Sequence, residues 1–204
     1  MKTERETKEK LIVSAKAEFM EKGYAKASLR KICANAGVTT GALYFFFDDK
    51  QDLFRAIVEP PLAALVEMIE EHFAEDEEIL SLPNAYEHQE GDHDEIAEML
   101  VRHLYRNYDA FLLLLTKSQG TGFEDSLHRI VDLTEKRFAV SVQLYARQKP
   151  EWQGDAWTIH WMAHMTVDAF VYLLTHVREE QEAVRRMKAI MDFIVKGFVE
   201  MKKI

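Results

Sequence analysis

Disulfide bonding is excluded at the outset, because the 204-residue chain holds one cysteine, Cys33. That scarcity fits a reducing compartment. Proline and glycine are also scarce, at four and eight residues, which favours helices joined by short loops. Long apolar runs are missing. Purely aliphatic stretches such as Leu112–Leu115 are far short of the roughly 20 residues a membrane-spanning helix needs. The opening MKTERETKEK has no apolar stretch of the kind a secretory signal carries. The expected location is therefore the cytoplasm, with no membrane partner. Period-two alternation is nowhere sustained, so no strand pattern competes with the helical one. The chain has neither an internal repeat nor a low-complexity tract.

What is present points to a packed helical protein. Hydrophobic residues make up 48% and charged residues 30%, enough apolar material for a core. The net charge of −9 is unevenly spread. Residues 1–50 carry ten Lys/Arg against seven Asp/Glu, whereas residues 51–204 carry sixteen against twenty-eight. A mildly basic head on an acidic body suits a protein that meets a polyanion at one end only, although a surplus of three charges is too small to argue that alone.

Helical periodicity organises the chain. Over 7–22, Leu11, Ile12, Ala15, Phe19 and Met20 share a face, with Lys8, Glu9, Lys16, Glu18 and Glu21 placed elsewhere. Gly23 is a stop. Ser28 is an N-cap for a short second helix that Gly37 breaks. Thr39 or Thr40 caps a third helix to about Phe47. Asp48 or Asp49 caps a fourth, with Leu53, Phe54, Ile57 and Val58 inside and a kink or restart expected at Pro60-Pro61. Residues 75–95, acidic and containing Pro83, Asn84 and Gly91, are expected to be a loop. Further helices are expected from about Asp94 to Ser118 with a bend near Asn107, from Phe123 to Gln148 with a stop at Pro150, from Gly154 or Asp155 to His176, and from Glu179 to Met201. Gly120-Thr121-Gly122 is a break. The expected fold class is all-α: a small N-terminal domain of three helices over residues 1–50, and a helical bundle over 51–204.

Residues 28–47 carry the chemistry. Two short helices flank the tight turn Ala36-Gly37-Val38, in which Gly37 can take positive φ. Ile32, Cys33, Ala34, Val38 and Leu43 are small or aliphatic where crossed helices must touch. Thr39, Thr40, Gly41 and Ala42 place short side chains at a helix start whose free N–H groups favour an anion. Tyr44 lies one turn on, with a hydroxyl that can donate to a phosphate. This is the geometry of a helix-turn-helix, whose second helix enters a DNA major groove. Successive residues on a helix turn by about 100°, so Tyr44–Phe47 cannot all face one core. Phe47 is read as buried, while Phe45 and Phe46 are either partly exposed or part of an aromatic cluster. Cys33 is either a small core residue or a redox-sensing thiol.

The segment TKEKLIVSAKAEFMEKGYAKASLRKICANAGVTTGALYFFFDDKQDLF resembles the N-terminal domain of the tetracycline-repressor (TetR) family. The shared pattern is Phe19, Gly23-Tyr24, Ser28, Ile32, Ala36-Gly37-Val38, Gly41, Leu43-Tyr44, Phe47, Lys50 and Leu53. The remaining three quarters match only as a helical body of suitable length. The resemblance implies a helix-turn-helix DNA-binding domain over 1–50 and a helical domain over 51–204 that binds an effector and dimerises. It implies that Ser28, Arg30, Thr39, Thr40, Gly41, Ala42, Tyr44, Phe45 and Lys50 face DNA, with Tyr44 and Lys50 on phosphates. Phe45 would be placed to touch a thymine methyl. Two positions depart from the family: Phe46 replaces a residue often His or Tyr, and Cys33 replaces a usual Ala. The implied function is a ligand-responsive transcriptional regulator, a repressor released from its operator by a small hydrophobic or amphipathic effector. The alternative is a helix-turn-helix regulator without an effector, whose body only dimerises.

For the body, one candidate effector set is Met68, Phe73, Met99, His103, Tyr108, Phe111, Phe123, Leu127, Phe138, Trp161 and Met165, with Asp168 as an acid in an apolar helix. The same residues suit a dry core, and Asp168 suits an ion pair. Val184, Met187, Ile190, Met191, Ile194 and Phe198 form a stripe on the last helix, and Trp157, Trp161, Tyr172 and Leu173 lie on the helix before. Two such helices per subunit can build a four-helix homodimer interface. His160 and His164 form an HxxxH pair on one helix face, with His103 or His128 as a third candidate ligand. They are read as pocket or interface histidines, so no metal or cofactor is expected. No nucleophile elbow, phosphate loop, HExxH or Cys/His metal set is present, so no enzyme is expected.

Overall fold

The computed structural model describes residues 2–82, 92–148 and 155–199. These form helices and no strand: α1 (Lys2–Lys26), α2 (Leu29–Ala36), α3 (Thr40–Phe46), α4 (Lys50–Leu80), α5 (Asp92–Arg106), α6 (Tyr108–Thr116), α7 (Ser126–Gln148), α8 (Ala156–His176) and α9 (Glu180–Val199). None of the described helices is long and apolar enough to cross a membrane. The all-α fold class holds. Two compact units result. The first runs through Ala64 and takes in Asn107–Leu127, and the second joins Leu65–Arg106 to the chain from His128 onward.

In the first unit, the α1 face is built from Leu11, Ala15 and Phe19, all fully buried. Phe19 and Tyr24 both meet the Phe54 ring edge-on, at 5.3 and 5.5 Å between centroids. Gly23 interrupts α1 with φ 73° and ψ 162°, a conformation that a side chain would strain. The Gly120–Gly122 turn is pinned where the Gln51 amide donates to the Thr121 carbonyl at 3.1 Å.

Two expectations change here. Glu18 is not on the solvent face of α1: it is 3% exposed. It stands seven residues after Leu11, hence on the same face, and its charge is met rather than solvated. The α4 helix does not restart at Pro60-Pro61 but runs through both. Proline in a helix interior costs roughly 3 kcal/mol. Leu53, Phe54, Ile57 and Val58 before the pair, and Leu65, Ile69 and Phe73 after it, are buried at helical spacing. At roughly 1.5–3 kcal/mol each, that burial outweighs the two prolines.

In the second unit, Ala97 and Val101 of α5, Leu173 of α8 and Ala183, Val184 and Met187 of α9 form one core cluster. The Tyr105 hydroxyl donates to the Val177 carbonyl at 2.6 Å, with the Leu173 carbonyl at 3.1 Å. A second cluster joins Leu80 to Val142 and Tyr145, and Phe73 meets Phe138 edge-on at 5.6 Å. The segment expected to be a loop over 75–95 is therefore helical at both ends, through Leu80 and again from Asp92. Leu80 is held by packing, and two of the carboxylates in the acidic turns before it are met by Arg137, which pairs with Glu70 and, at 3.3 Å, with Glu77. Pro83, Asn84, Gly91, Pro150, Gly154 and Met201 lie outside the described residues.

Candidate nucleic-acid interface

The helix-turn-helix is fixed by local polar links. Ser28 is extended (φ −111°, ψ 116°), and its hydroxyl accepts the Lys31 N–H at 3.4 Å, capping α2. Gly37 closes α2 in the left-handed conformation (φ 68°, ψ 31°), and its N–H donates to the Ala34 carbonyl. Thr39 accepts the Ala42 N–H at 3.2 Å and caps α3. Behind these joints, the buried Ser14 hydroxyl donates to the Ile32 carbonyl at 2.8 Å. Glu18 accepts the Ser28 N–H at 3.3 Å and pairs with the Lys31 ammonium at 3.0 Å. The hydrogen bond it donates to the Glu18 carboxylate is the main reason the Lys31 ammonium titrates above its ordinary value. Ile32 and Leu43 are buried between the helices.

What this joint presents is an exposed row. Arg30, Thr39, Thr40 and Gly41 are exposed and Ala42 is half-buried. Tyr44 and Phe45 stand 56% and 71% exposed, while Phe47 is 2% exposed. Phe46 is half-buried and meets Phe45 edge-on at 4.9 Å. The aromatic run thus divides as the 100° step requires.

Residues 11–57 match the family described as "Bacterial regulatory proteins, tetR family". These residues are a TetR-family domain. They are 43% identical over 53 residues to the HTH-type transcriptional repressor BepR of Brucella suis, a match covering 26% of this chain and 25% of that protein. A probable acrEF/envCD operon repressor of Escherichia coli K12 is 39% identical over 67 residues, covering 32% of this chain and 30% of its own length. The chain thus spans about a quarter to a third of these curated relatives. The fold extends further. An Aquifex aeolicus transcriptional regulator superimposes with a TM-score of 0.62 at 21% identity over 92% of this chain and 99% of its own. NalD of Pseudomonas aeruginosa, the secondary repressor of the MexAB-OprM multidrug efflux pump, gives 0.60 at 17% over 97% and 98%.

Within the TetR-family domain, Lys50 differs in setting from the exposed row. Its ammonium donates to the carbonyls of Ala25 at 3.2 Å and Ala27 at 3.3 Å, and lies 4.7 Å from the Tyr24 ring centroid. Two of its three hydrogens are therefore engaged in closing the end of α1. Cys33 is 4% exposed, and burial pushes its thiol up. That places it on the core side of the two readings and away from an activated thiolate. Sequence reasoning missed Ser14 and Glu18. The signal was their spacing from Leu11, which places both on the apolar face.

The residues considered for an effector divide between the units. Phe111 is core in the first, where Tyr108, Phe123 and Leu127 are half-buried and Phe123 lies 6.2 Å from Phe54. In the second, Met68, His103 and Met165 are half-buried, Phe73 is buried, Met99 and Trp161 are about half exposed, and Asp168 is exposed. A groove of about 300 Å³ in that unit is lined by Asp132, Glu135, Lys136, Ala139, Ala156 and Ile159, none of which periodicity had marked. The α9 stripe is largely core: Val184, Met187 and Ile194 are buried. Among the described residues of α8 and α9, the exposed aromatics are Trp157 (69%), Trp161 (48%), Tyr172 (61%) and Phe193 (71%), with the two Trp rings stacked at 6.4 Å. His160 and His164 meet edge-on at 4.7 Å, and His160 Nδ1 lies 2.7 Å from the Glu135 carboxylate.

Proposed function

We propose that the chain is a DNA-binding transcriptional regulator of the repressor kind, working as a homodimer on double-stranded operator DNA. The observation that carries this reading is the exposed row on a helix-turn-helix whose every joint is capped. In it, α3 enters the major groove with Thr39, Thr40, Gly41 and Ala42 leading. Arg30 and Tyr44 take phosphates, and Phe45 takes a thymine methyl. Ser28 and Lys50 complete the set as positioning residues, Ser28 through its cap and Lys50 through Ala25 and Ala27. With few polar groups on α3, the phosphate contacts carry most of the affinity.

Dimerisation follows from what the site must do, since two heads must span half-sites roughly 34–36 Å apart or a multiple of that. The exposed aromatics Trp157, Trp161, Tyr172 and Phe193 on α8 and α9 supply a fitting surface, being the residue types that anchor protein interfaces. Release of DNA by a small hydrophobic or amphipathic effector in the helical body completes the reading. Its support is the likeness to repressors and the groove between α7 and α8, at the small end of ligand-pocket volumes. The alternative, a body that only dimerises, predicts no ligand that alters DNA affinity.

Selection from a random duplex pool tests the proposal. The wild-type chain should enrich a two-fold symmetric sequence, and Arg30→Ala or Tyr44→Ala should weaken binding to it several-fold. Enrichment of no sequence would refute the DNA-binding reading. Screening hydrophobic small molecules for release of the enriched duplex then separates the two accounts of the body.

A further inference from the structure

We infer that the second unit holds a site for a zinc-class divalent cation, built from His72 and Asp76 of α4 and His93 of α5. One nitrogen or carboxylate oxygen from each of the three lies within 4.8 Å of those of the other two, and all three residues are half-buried. Among the described residues, no other set of three such donors meets that condition.

The construction follows from helix geometry. His72 and Asp76 are four residues apart, so they share a face of α4, and His72 Nε2 already lies 3.4 Å from Asp76 Oδ2. His93 stands in the first turn of α5 and brings its ring to 6.2 Å, centroid to centroid, from that of His72. Zinc bonds nitrogen at about 2.0–2.1 Å and carboxylate oxygen at about 2.0–2.2 Å, so two ligands on a tetrahedral ion stand about 3.3 Å apart. The His72–Asp76 pair is at that spacing, and rotation of side chains closes the remainder. Two imidazoles with one carboxylate select borderline ions such as Zn2+ over Mg2+ or Ca2+, which prefer all-oxygen shells. Three protein ligands leave a fourth position for water. Glu75, Glu77 and Glu78 add negative potential nearby, although Glu77 spends its charge on Arg137. A bound ion would tie the last turns of α4 to the first turn of α5, across the sequence gap between Asp76 and His93. This inference is independent of DNA binding.

The HxxxH pair on α8 is the natural competitor and serves as the control. Calorimetry of the full chain with Zn2+ should give one high-affinity ion per chain, and Zn2+ should raise the melting temperature. Co2+ should give the visible absorption of a low-coordinate nitrogen–oxygen site. His72→Ala and His93→Ala should each weaken Zn2+ by at least about 100-fold, beyond the loss expected of a group that only supports a ligand. His160→Ala/His164→Ala should leave it unchanged. Asp76→Asn, which keeps shape and removes charge, should weaken Zn2+ without altering the circular dichroism of the metal-free chain, so a folding defect is told apart from ligand loss. Absence of Zn2+ binding would overturn the assignment. So would retention in His72→Ala with loss in the α8 double variant.

Discussion

The two units are held by different kinds of interaction. In the first, single polar groups fix each joint: Ser28 and Thr39 cap the helices, Gly37 turns the chain, and Glu18 and Ser14 lock α1 to the start and middle of α2. In the second, helices meet through apolar stripes such as Val101, Leu173, Val184 and Met187. Their charged residues pair across the surface, as Arg102 does with Glu98 and Glu180 and Lys188 with Glu98. A cap or a left-handed turn accepts only a few residue types, whereas a stripe accepts any apolar residue of fitting volume. The difference teaches where a function leaves a residue-level mark. The first unit is specified position by position, and the second only by pattern.

The contrast can be broken or sharpened by substitution. The largest effects are expected in the cores. Phe19→Ala should cost roughly 3–5 kcal/mol and Met187→Ala roughly 2–5 kcal/mol of stability in denaturant titrations, because both are fully buried. Equal and negligible losses would show that neither core is as tight as described. Next, Trp157→Ala or Trp161→Ala should weaken self-association by roughly 2 kcal/mol in sedimentation equilibrium if these aromatics are the dimer anchor. The same changes should leave monomer stability within about 0.5 kcal/mol. Ser28→Ala should cost about 1 kcal/mol through the lost cap, while an apolar exchange in the stripe such as Val184→Ile should be tolerated more readily. The smallest effect is a pH dependence. Asp155 caps α8, and its carboxyl is held below the usual range, first by the Thr158 hydroxyl and then by the Thr158 N–H at 2.7 Å. Its folded pKa is depressed, so its contribution is present above the unfolded value of roughly 3.9 and fades as pH falls through the folded one. Thermal melts should show Asp155→Asn losing less stability on acidification than the wild type.

The same contrast explains what the sequence disclosed. The all-α class, the cap at Ser28, a cap at Thr39 or Thr40 and the stop at Gly37 were legible because each rests on local backbone chemistry; the stop expected at Gly23 is an interruption within α1, and the bend expected near Asn107 falls where α5 gives way to α6. The exposed row was legible through a resemblance confined to the head. The burial of Glu18 was hidden because a carboxylate reads as solvent-facing until its partners, the Ser28 N–H and the Lys31 ammonium, are folded onto it. The passage of α4 through Pro60-Pro61 was hidden because tertiary burial on both sides overrides a local breaker. The α9 stripe was legible as apolar, but periodicity does not say whether a stripe meets its own chain or another. Only packing against α5 and α8 shows that Val184 and Met187 are spent internally, leaving Trp157, Trp161, Tyr172 and Phe193 outside. The His72–Asp76–His93 set was hidden because its members come from two helices.

Duplex binding across a salt series tests the proposal that the α2–α3 joint presents a DNA-binding row. Anisotropy of a labelled duplex from the region upstream of the chain's own gene should show selective binding by the wild type, with log K falling linearly against log salt. Arg30→Ala should flatten that slope by about one unit. Lys50→Met should flatten it less, because two of its hydrogens are engaged by Ala25 and Ala27. Salt-independent or unselective binding by the wild type, or an Arg30→Ala slope equal to the wild-type slope, would contradict the account.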